Sequence, residues 1–488
     1  MRRVRLSRRK REGEKSGMFK AKTFTISVSY DTKPQNVSER VVDVATAFGV
    51  GTDKHFKFTV FKDFSFKIKQ GDIVYVTGDS GSGKSTLLRK LKELLGEKNV
   101  ADINDVKIDY DKPIVDQIGK NTNEALKYLT MVGLGDAFLF LRRFGELSEG
   151  QKYRFKIAKL LETEKPFLIL DEFCSTLDRD TAKIVAYNLQ RVAREQGKTV
   201  IVATCDRDLK HDLNPDVYIE KGIGDKVDVE YAEKHQKRVC SIARKVKIEE
   251  GTVEDYRKLE HFHYRAGKLP HPYKIFKMTY NGEIIGVIVY SYPPILSFGR
   301  NRYFGYRIPV KQLNKDFVII SRVVIHPKFR GIGLGVKLVK ETLPLVDKKY
   351  VETVAVMAKY NPFFEKAGMK KVAVSTPDET VVNAIRRLEK MGFNPITLAS
   401  EQANLEKLRK MSKKQKEQIK QILLSVDTGY YKRLMPVKSA FAKKQEFIDF
   451  LKNAKDENLA IALRNLAVLS QSKVYLIWEN PKYAKRGR

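Results

Sequence analysis

The sequence predicts an α/β protein: a parallel sheet wrapped by helices, then a second α+β region, then basic helices. Three observations carry that reading. Between Gly71 and about Glu220 short apolar runs (DIVYVT, FLILDE, TVIVAT) alternate with helical patterns, the order of a parallel sheet whose crossovers are helices. A glycine-rich loop, GDSGSGKS, joins the first of those runs to a helical pattern. A second strand-rich region opens near Lys245, contains GEIIGVIVYSY and FVIISRVVIH, and fades after Val374.

The remaining segments are read from pattern and charge. Residues 1–20 form a basic tail with no apolar segment behind it, so a disordered stretch is expected there rather than a signal or anchor. From about Met18 to Phe66 apolar and polar residues alternate, as in strands. The last ninety or so residues read as basic helices, and in EQANLEKLRKMSKKQKEQIKQILLS the apolar positions are sparse enough to predict a surface or partner-binding helix. Domain borders are expected at 21–240, 241–400 and 401–488. No run approaches about 18 uncharged apolar residues, so no membrane-spanning helix is expected. Cys174, Cys205 and Cys240 have neither metal-knuckle nor redox-pair spacing, which predicts a reducing, cytoplasmic setting. Lys and Arg number 93 against 59 Asp and Glu, a net charge of +34. Such a field attracts polyanions, and nucleic acid, DNA or RNA, is the expected partner.

The loop after DIVYVT is a complete Walker A motif in its required strand–loop–helix setting. Gly78, Asp79, Ser80, Gly81, Ser82, Gly83, Lys84, Ser85 and Thr86 would cradle phosphates with main-chain amides, Lys84 reaching the outer phosphates and Ser85 holding magnesium. FLILDE ends in Asp171 and Glu172, as a Walker B strand does; Asp171 would sit beside Mg2+ and Glu172 would orient or deprotonate the attacking water. ATP and Mg2+ are therefore expected. Between the two motifs, LSEGQKYRFKIAKLL resembles the signature of ABC ATPases, with Ser148, Gly150 and Gln151 in place and Glu149 where that family usually has glycine. The resemblance further implies Gln117 as a metal-contacting glutamine, Asp178 as the aspartate of the loop after Walker B, and Phe48 as an adenine-stacking aromatic.

One departure from that family has a chemical consequence. Cys205 stands where a γ-phosphate-sensing histidine is usual, and a thiol is a weak partner for phosphate, so slow hydrolysis and a long-lived closed state are expected. Since one domain's Walker A and signature cannot face each other, a head-to-tail homodimer is expected. The short stretch from Gln117 to Ser148 lacks the length with which transporter ATPases dock on membrane partners, which favours a soluble role.

FVIISRVVIHPKFRGIGLGVKLVKETLP resembles the acyl-CoA loop of GNAT acyltransferases. Ile325 ends the strand, and Arg330, Gly331, Gly333 and Gly335 form the loop, whose amides would receive the diphosphate of acetyl-CoA or another acyl-CoA. YNPFFEKAGM resembles a later GNAT segment through Asn361 and Gly368. Phe364 stands where many such enzymes have a proton-donating Tyr, leaving Tyr360 as the candidate donor. Upstream, His261, His263, Tyr264 and His271 cluster, and His263 and Tyr264 are candidates for proton transfer. His-Tyr-Arg ahead of the loop resembles the phage Mom proteins, which modify adenine in DNA, and the chain from about Thr23 to Gly368 is similar to archaeal and phage fusions of an ABC ATPase with such a domain.

Acyl transfer from a thioester to an amine runs downhill, so the ATPase is expected to do mechanical work such as clamping or exposing a substrate. The leading expectation is ATP-gated modification of a nucleic-acid base, whose exposure costs a few kcal/mol. The alternatives are an ATP-switched nucleic-acid clamp for repair or chromosome maintenance with a non-catalytic GNAT-like domain, and a protein N-acetyltransferase.

Overall fold

The computed structural model describes residues 21–32, 37–52, 56–233, 238–263, 269–355, 362–436 and 444–484. It divides into two compact units, one holding residues 1–268, 275–288 and 323–338, the other 269–274, 289–322 and 339–488.

In the first unit β1 (Ala21–Thr32) and β2 (Phe56–Lys69) pair antiparallel. The alternation expected to run through Phe66 is interrupted by a helix, Glu39–Ala47, whose first turn is capped by Ser38 Oγ accepting from the Val41 N–H at 3.3 Å. A cap followed by Glu39 opens a helix strongly enough to override the β preference of its valines. The parallel sheet comprises β3 (Ile73–Gly78), β4 (Val100–Asp102), β5 (Phe167–Leu170), β6 (Thr199–Thr204), β7 (Val217–Lys221) and β8 (Val227–Tyr231), in the order β4-β5-β6-β3-β7-β8. Among the described residues β8 alone runs antiparallel, at the edge. Because alternate residues face opposite sides, Ile73, Tyr75, Leu168 and Val200 enter a core with the helices Glu149–Glu162 and Arg179–Gln196. Val74, Val76, Ile169 and Ile201 enter a second core with the helix Lys84–Leu95 and β1 and β2. Both faces are covered, which is why these strands read as unbroken apolar runs.

The remaining strands are β9 (Lys247–Glu250), β10 (Pro272–Tyr280), β11 (Glu283–Ser291), β12 (Phe317–Ile325), β13 (Tyr350–Ala355), β14 (Lys370–Val374) and β15 (Val474–Glu479). Their order is β14-β15-β13-β12-β11-β10-β9. β12 and β13 are parallel, and their register among the described residues covers Phe317–Ile319 against Tyr350–Glu352, so the strands part before the glycine loop.

The region expected at 401–488 as basic helices also contains a strand. That strand, β15, lies between β13 and β14 and pairs antiparallel with both, so the helices are an insertion within the sheet's own connectivity. VYLIWE is too short an apolar run to be told from a helix by period alone. The expected single surface helix is two, Glu401–Arg409 and Lys413–Leu424, which bury Leu408, Ile419, Ile422 and Leu423 in a helical core with Leu459, Leu463 and Leu466. Among the described residues no helix is long and apolar enough to cross a membrane.

Candidate functional site

β3 ends at Gly78, and the chain turns through Gly78, Gly81 and Gly83, at φ of 147°, 75° and 107°, before the helix Lys84–Leu95. Glycine is required at two of these positions for space as well as for conformation: a Cβ on Gly78 would stand 2.3 Å from the Lys221 carbonyl oxygen, and one on Gly83 2.4 Å from Val60 Cγ1. Asp79, Ser80, Gly81 and Ser85 are exposed at the mouth of the loop. The Thr86 hydroxyl lies 3.1 Å from that of Tyr30. Lys84 is buried, its Nζ donating to the Gly78 and Asp79 carbonyls at 2.7 Å each and lying 3.3 Å from Cys205 Sγ. Ser82 Oγ is enclosed without a hydrogen-bond partner. An orphaned hydroxyl, a lysine held only by neutral acceptors and helix-start amides lacking internal acceptors fit a polyphosphate.

β5 delivers Asp171 and Glu172 at the same end of the parallel sheet; Glu172 is exposed at φ 49°, and its N–H donates to Asp171 Oδ1 at 3.0 Å. Gln117 is not turned toward them. Its Nε2 donates to the Asp109 and Lys112 carbonyls at 2.8 Å each, and its Oε1 accepts from the Asp109 N–H at 3.0 Å. The expected metal role of Gln117 therefore requires this loop to open. Among the described residues no group of three or more His, Cys, Asp or Glu is arranged to hold a metal. Mg2+ commonly needs one or two carboxylates plus phosphate oxygens, which Asp171 and Ser85 beside a bound nucleotide would meet.

Ser148 caps the signature helix in a reciprocal box: its Oγ accepts from the Gln151 N–H at 3.4 Å, and Gln151 Oε1 accepts from the Ser148 N–H at 3.0 Å. A Cβ on Gly150 would lie 3.1 Å from Leu177 Cδ2, so the signature helix packs against the segment that carries Asp178. Phe48, expected in a strand, instead ends the helix Glu39–Ala47 with its ring 80% exposed.

The second glycine loop follows β12. Gly331 and Gly333 take φ of 88° and 86°, and the helix Leu334–Thr342 starts directly behind them, with Gly335 in its first turn. A Cβ on Gly333 would meet nothing within 4 Å, so its face is open, and that space beside helix-start amides fits a diphosphate. Gly331 is closed in: its Cβ would stand 3.0 Å from the Thr130 carbonyl oxygen and 3.2 Å from Asn188 Nδ2. Arg330 donates to the carbonyls of Ile325 at 2.8 Å, Phe262 at 3.4 Å and Gly135. Arg330 thus anchors the loop, and its guanidinium is turned to main-chain carbonyls.

Just ahead of it, Lys328 Nζ lies 2.7 Å from the Asp178 carboxylate and 3.8 Å from that of Asp180. Asp178 also caps the helix Arg179–Gln196, accepting from the Thr181 N–H at 3.2 Å and hydroxyl at 2.6 Å. Burial pushes its pKa up, but the Lys328 ammonium and the Thr181 donors outweigh it and hold Asp178 down at about 2. Sequence reading identified Asp178 and Arg330 separately and missed Lys328, because pairing between distant positions leaves no periodic signal.

His263 is half-buried, with its N–H donating to the Glu260 carbonyl at 2.9 Å. Tyr264, Tyr360 and Asn361 lie outside the described residues. A histidine that sequence reading did not select, His326, packs edge-on to Phe262 at 4.7 Å and to Phe329 at 5.8 Å. Burial, then Arg330 and Lys328, push its pKa below the ordinary histidine value. Phe364 is buried against Phe363, with ring centroids 4.0 Å apart.

The sequence profile of the ABC transporter family matches residues 61–114, and that of the acetyltransferase (GNAT) family matches residues 237–369. The chain is 32% identical over 181 residues to the methionine import ATP-binding protein MetN of Clostridium tetani, covering 30% of this chain and 56% of the relative. It is 29% identical over 205 residues to methionine import ATP-binding protein MetN 1 of Lactiplantibacillus plantarum, covering 34% and 57%. It thus spans little more than half the length of these curated relatives. Among solved structures, cbiO1 of Clostridium perfringens, part of an ABC transporter complex, matches at 23% identity over 35% of this chain and 80% of that one, with a TM-score of 0.29. With one family profile on the Walker A side and the other across the second glycine loop, the chain joins an ABC-type ATPase domain to a GNAT acetyltransferase domain.

Proposed function

We propose that this protein is an ATP-gated, acyl-CoA-dependent transferase that works as a homodimer through its ATPase domains and modifies a base in DNA or RNA. One observation carries the gating: Lys328, two residues ahead of the acyl-CoA-loop arginine, is ion-paired to Asp178 of the ATPase at 2.7 Å. In the proposed dimer the signature around Ser148, Gly150 and Gln151 closes over the nucleotide held by the other copy, and Asp178 turns toward that interface. Its departure leaves the Lys328 ammonium beside the glycine loop, where it favours the diphosphate of acyl-CoA.

When bound, ATP with Mg2+ supplies the free energy of closure. The Walker A loop would hold the phosphates, Ser85 and Asp171 would hold the metal, joined by Gln117 once its loop opens, and Glu172 would orient water. At the second site a nitrogen–carbon bond forms, the carbon–sulfur bond breaks, the amine gives up a proton and the leaving thiolate takes one. His263 and Tyr264 are the proposed acceptors of the amine's proton, and Tyr360 the proposed donor to sulfur. Three free cysteines support a reducing, cytoplasmic setting. The charge of +34 supports a polyanionic acceptor.

A buried Phe364 where a donor is usual favours a second reading, an ATP-switched nucleic-acid clamp with a non-catalytic GNAT-like domain that has lost acyl-CoA binding. Isothermal titration separates them: acetyl-CoA binding supports the transferase, and no binding supports the clamp. Mass spectrometry of nucleosides from cells with and without the gene then tests the acceptor. A changed nucleoside supports base modification; an unchanged profile with newly acetylated protein supports a protein acceptor.

A further inference from the structure

The segment joining β11 to β12, Tyr292 to Asp316, is absorbed by neither loop chemistry. Its sequence, YPPILSFGRNRYFGYRIPVKQLNKD, places Arg300, Arg302, Arg307, Lys311 and Lys315 among aromatics, with no acidic residue before Asp316. Tyr292, Ile295, Leu296, Phe298, Tyr306 and Val310 are all exposed, Tyr306 at 56%. Exposed apolar side chains at this density mark an interaction surface.

The segment is also held rigidly. Arg300 is 1% exposed and pairs with the fully buried Glu352, whose Oε2 accepts from Arg300 Nε at 3.0 Å and from the Tyr475 hydroxyl at 2.6 Å. The same guanidinium donates to the Pro294 and Ile295 carbonyls at 2.9 and 3.1 Å. Gly299 lies so close to the Tyr475 ring that a Cβ there would stand 2.0 Å from it. Phe304 packs edge-on to Phe317 and Tyr350, and Ile308 and Leu313 are buried in the same small core. The exposed rings therefore project from a fixed base, and little side-chain freedom is lost when a ligand covers them.

We propose that this surface binds single-stranded nucleic acid, with Tyr292, Phe298 and Tyr306 stacking unpaired bases and Arg302, Arg307, Lys311 and Lys315 contacting phosphates. Stacking on aromatics requires unpaired bases, and the cations lie within the same segment as the rings, as backbone tracking needs. A membrane surface fits less well, because in the short helix Phe298–Phe304 the exposed Phe298 is accompanied by the exposed Asn301 and Arg302. The inference rests on the proposed transferase only for why such an acceptor is bound.

The test is fluorescence anisotropy of the full chain with a fluorescein-labelled thymidine homopolymer of about 20 nucleotides, without nucleotide or acyl-CoA, so that failure of ATP gating leaves it untouched. Tyr306→Ala is expected to weaken binding about tenfold and Tyr306→Phe to preserve it, since phenylalanine keeps the stacking face. Arg302→Glu with Arg307→Glu is expected to weaken binding further and flatten its salt dependence. Lys410→Glu with Lys413→Glu, an equal charge change in the helical insertion, is expected to change it less than about twofold. Equal loss from both pairs, binding untouched by Tyr306→Ala, or capture of the protein by anionic vesicles with no binding to the oligonucleotide overturns the proposal.

Discussion

Around the loop from Gly78 to Lys84 the close neighbours are Val60 and Lys221, both strand residues of the ATPase fold. Around the loop from Arg330 to Gly335 they are Thr130, Gly135 and Asn188, which belong to the ATPase, while the loop itself belongs to the acetyltransferase. Both loops follow a strand and open onto a helix, yet the first is supported by its own domain, and the second by its neighbour as well as by Ile325 and Phe262 of its own. A loop of the second kind is where the proposed gating would act. Under the proposed gating, nucleotide binding acts on the ATPase residues against which Arg330, Gly331 and Lys328 rest.

Four substitutions break or sharpen this contrast. Lys84→Ala removes the ammonium proposed to reach the phosphates and is expected to weaken ATP binding about 100-fold, read with a fluorescent ATP analogue, while acetyl-CoA affinity without nucleotide stays unchanged. An equal loss of both would show that the loops are not separately supported. Gly331→Val adds a clash with the Thr130 carbonyl to an unfavourable φ and is expected to cost about 3 kcal/mol in thermal unfolding; Gly333→Ala, facing open space, is expected to cost about 1 kcal/mol. Equal costs would remove the ATPase as the backing of Gly331. Cys205→His is expected to raise ATP turnover about tenfold from a value well below the enzyme median of roughly ten per second; a wild-type rate near that median contradicts the thiol argument.

The smallest effect is on stability. Because Asp178 is held at about 2, below its ordinary 3.8, its ion pair contributes stability that is full above pH 3.8 and is lost as pH falls through about 2. Lys328→Ala is expected to lower stability at neutral pH by less than about 1 kcal/mol, since the pair is partly exposed, with the gap to wild type closing on acidification. A gap that widens below pH 3.8 would contradict the assignment of that shift to Lys328.

Both loops and both buried sheet runs were legible in the sequence because their information is local: glycines at fixed spacing, continuous apolar strands and amphipathic helices. Features formed by distant residues were not. β15 is a short apolar run beyond a long helical insertion, and its place between β13 and β14 is set by pairing alone. The helix Glu39–Ala47 was hidden by valines that favour strands, although Ser38 and Glu39 carried its start signal. Gln117 matched a family pattern in one dimension, while in three its amide is taken up by Asp109 and Lys112. Lys328 looked like one lysine among many until folding placed it on Asp178.

The most direct measurement of coupling is titration of acetyl-CoA into the Glu172→Gln protein with and without ATP and Mg2+, repeated with Lys328→Ala. Release of Lys328 from Asp178 predicts that ATP tightens acetyl-CoA binding at least about fivefold, a coupling of roughly 1 kcal/mol, and that the added Lys328→Ala change abolishes the difference. Acetyl-CoA affinity that is the same with and without ATP contradicts the account.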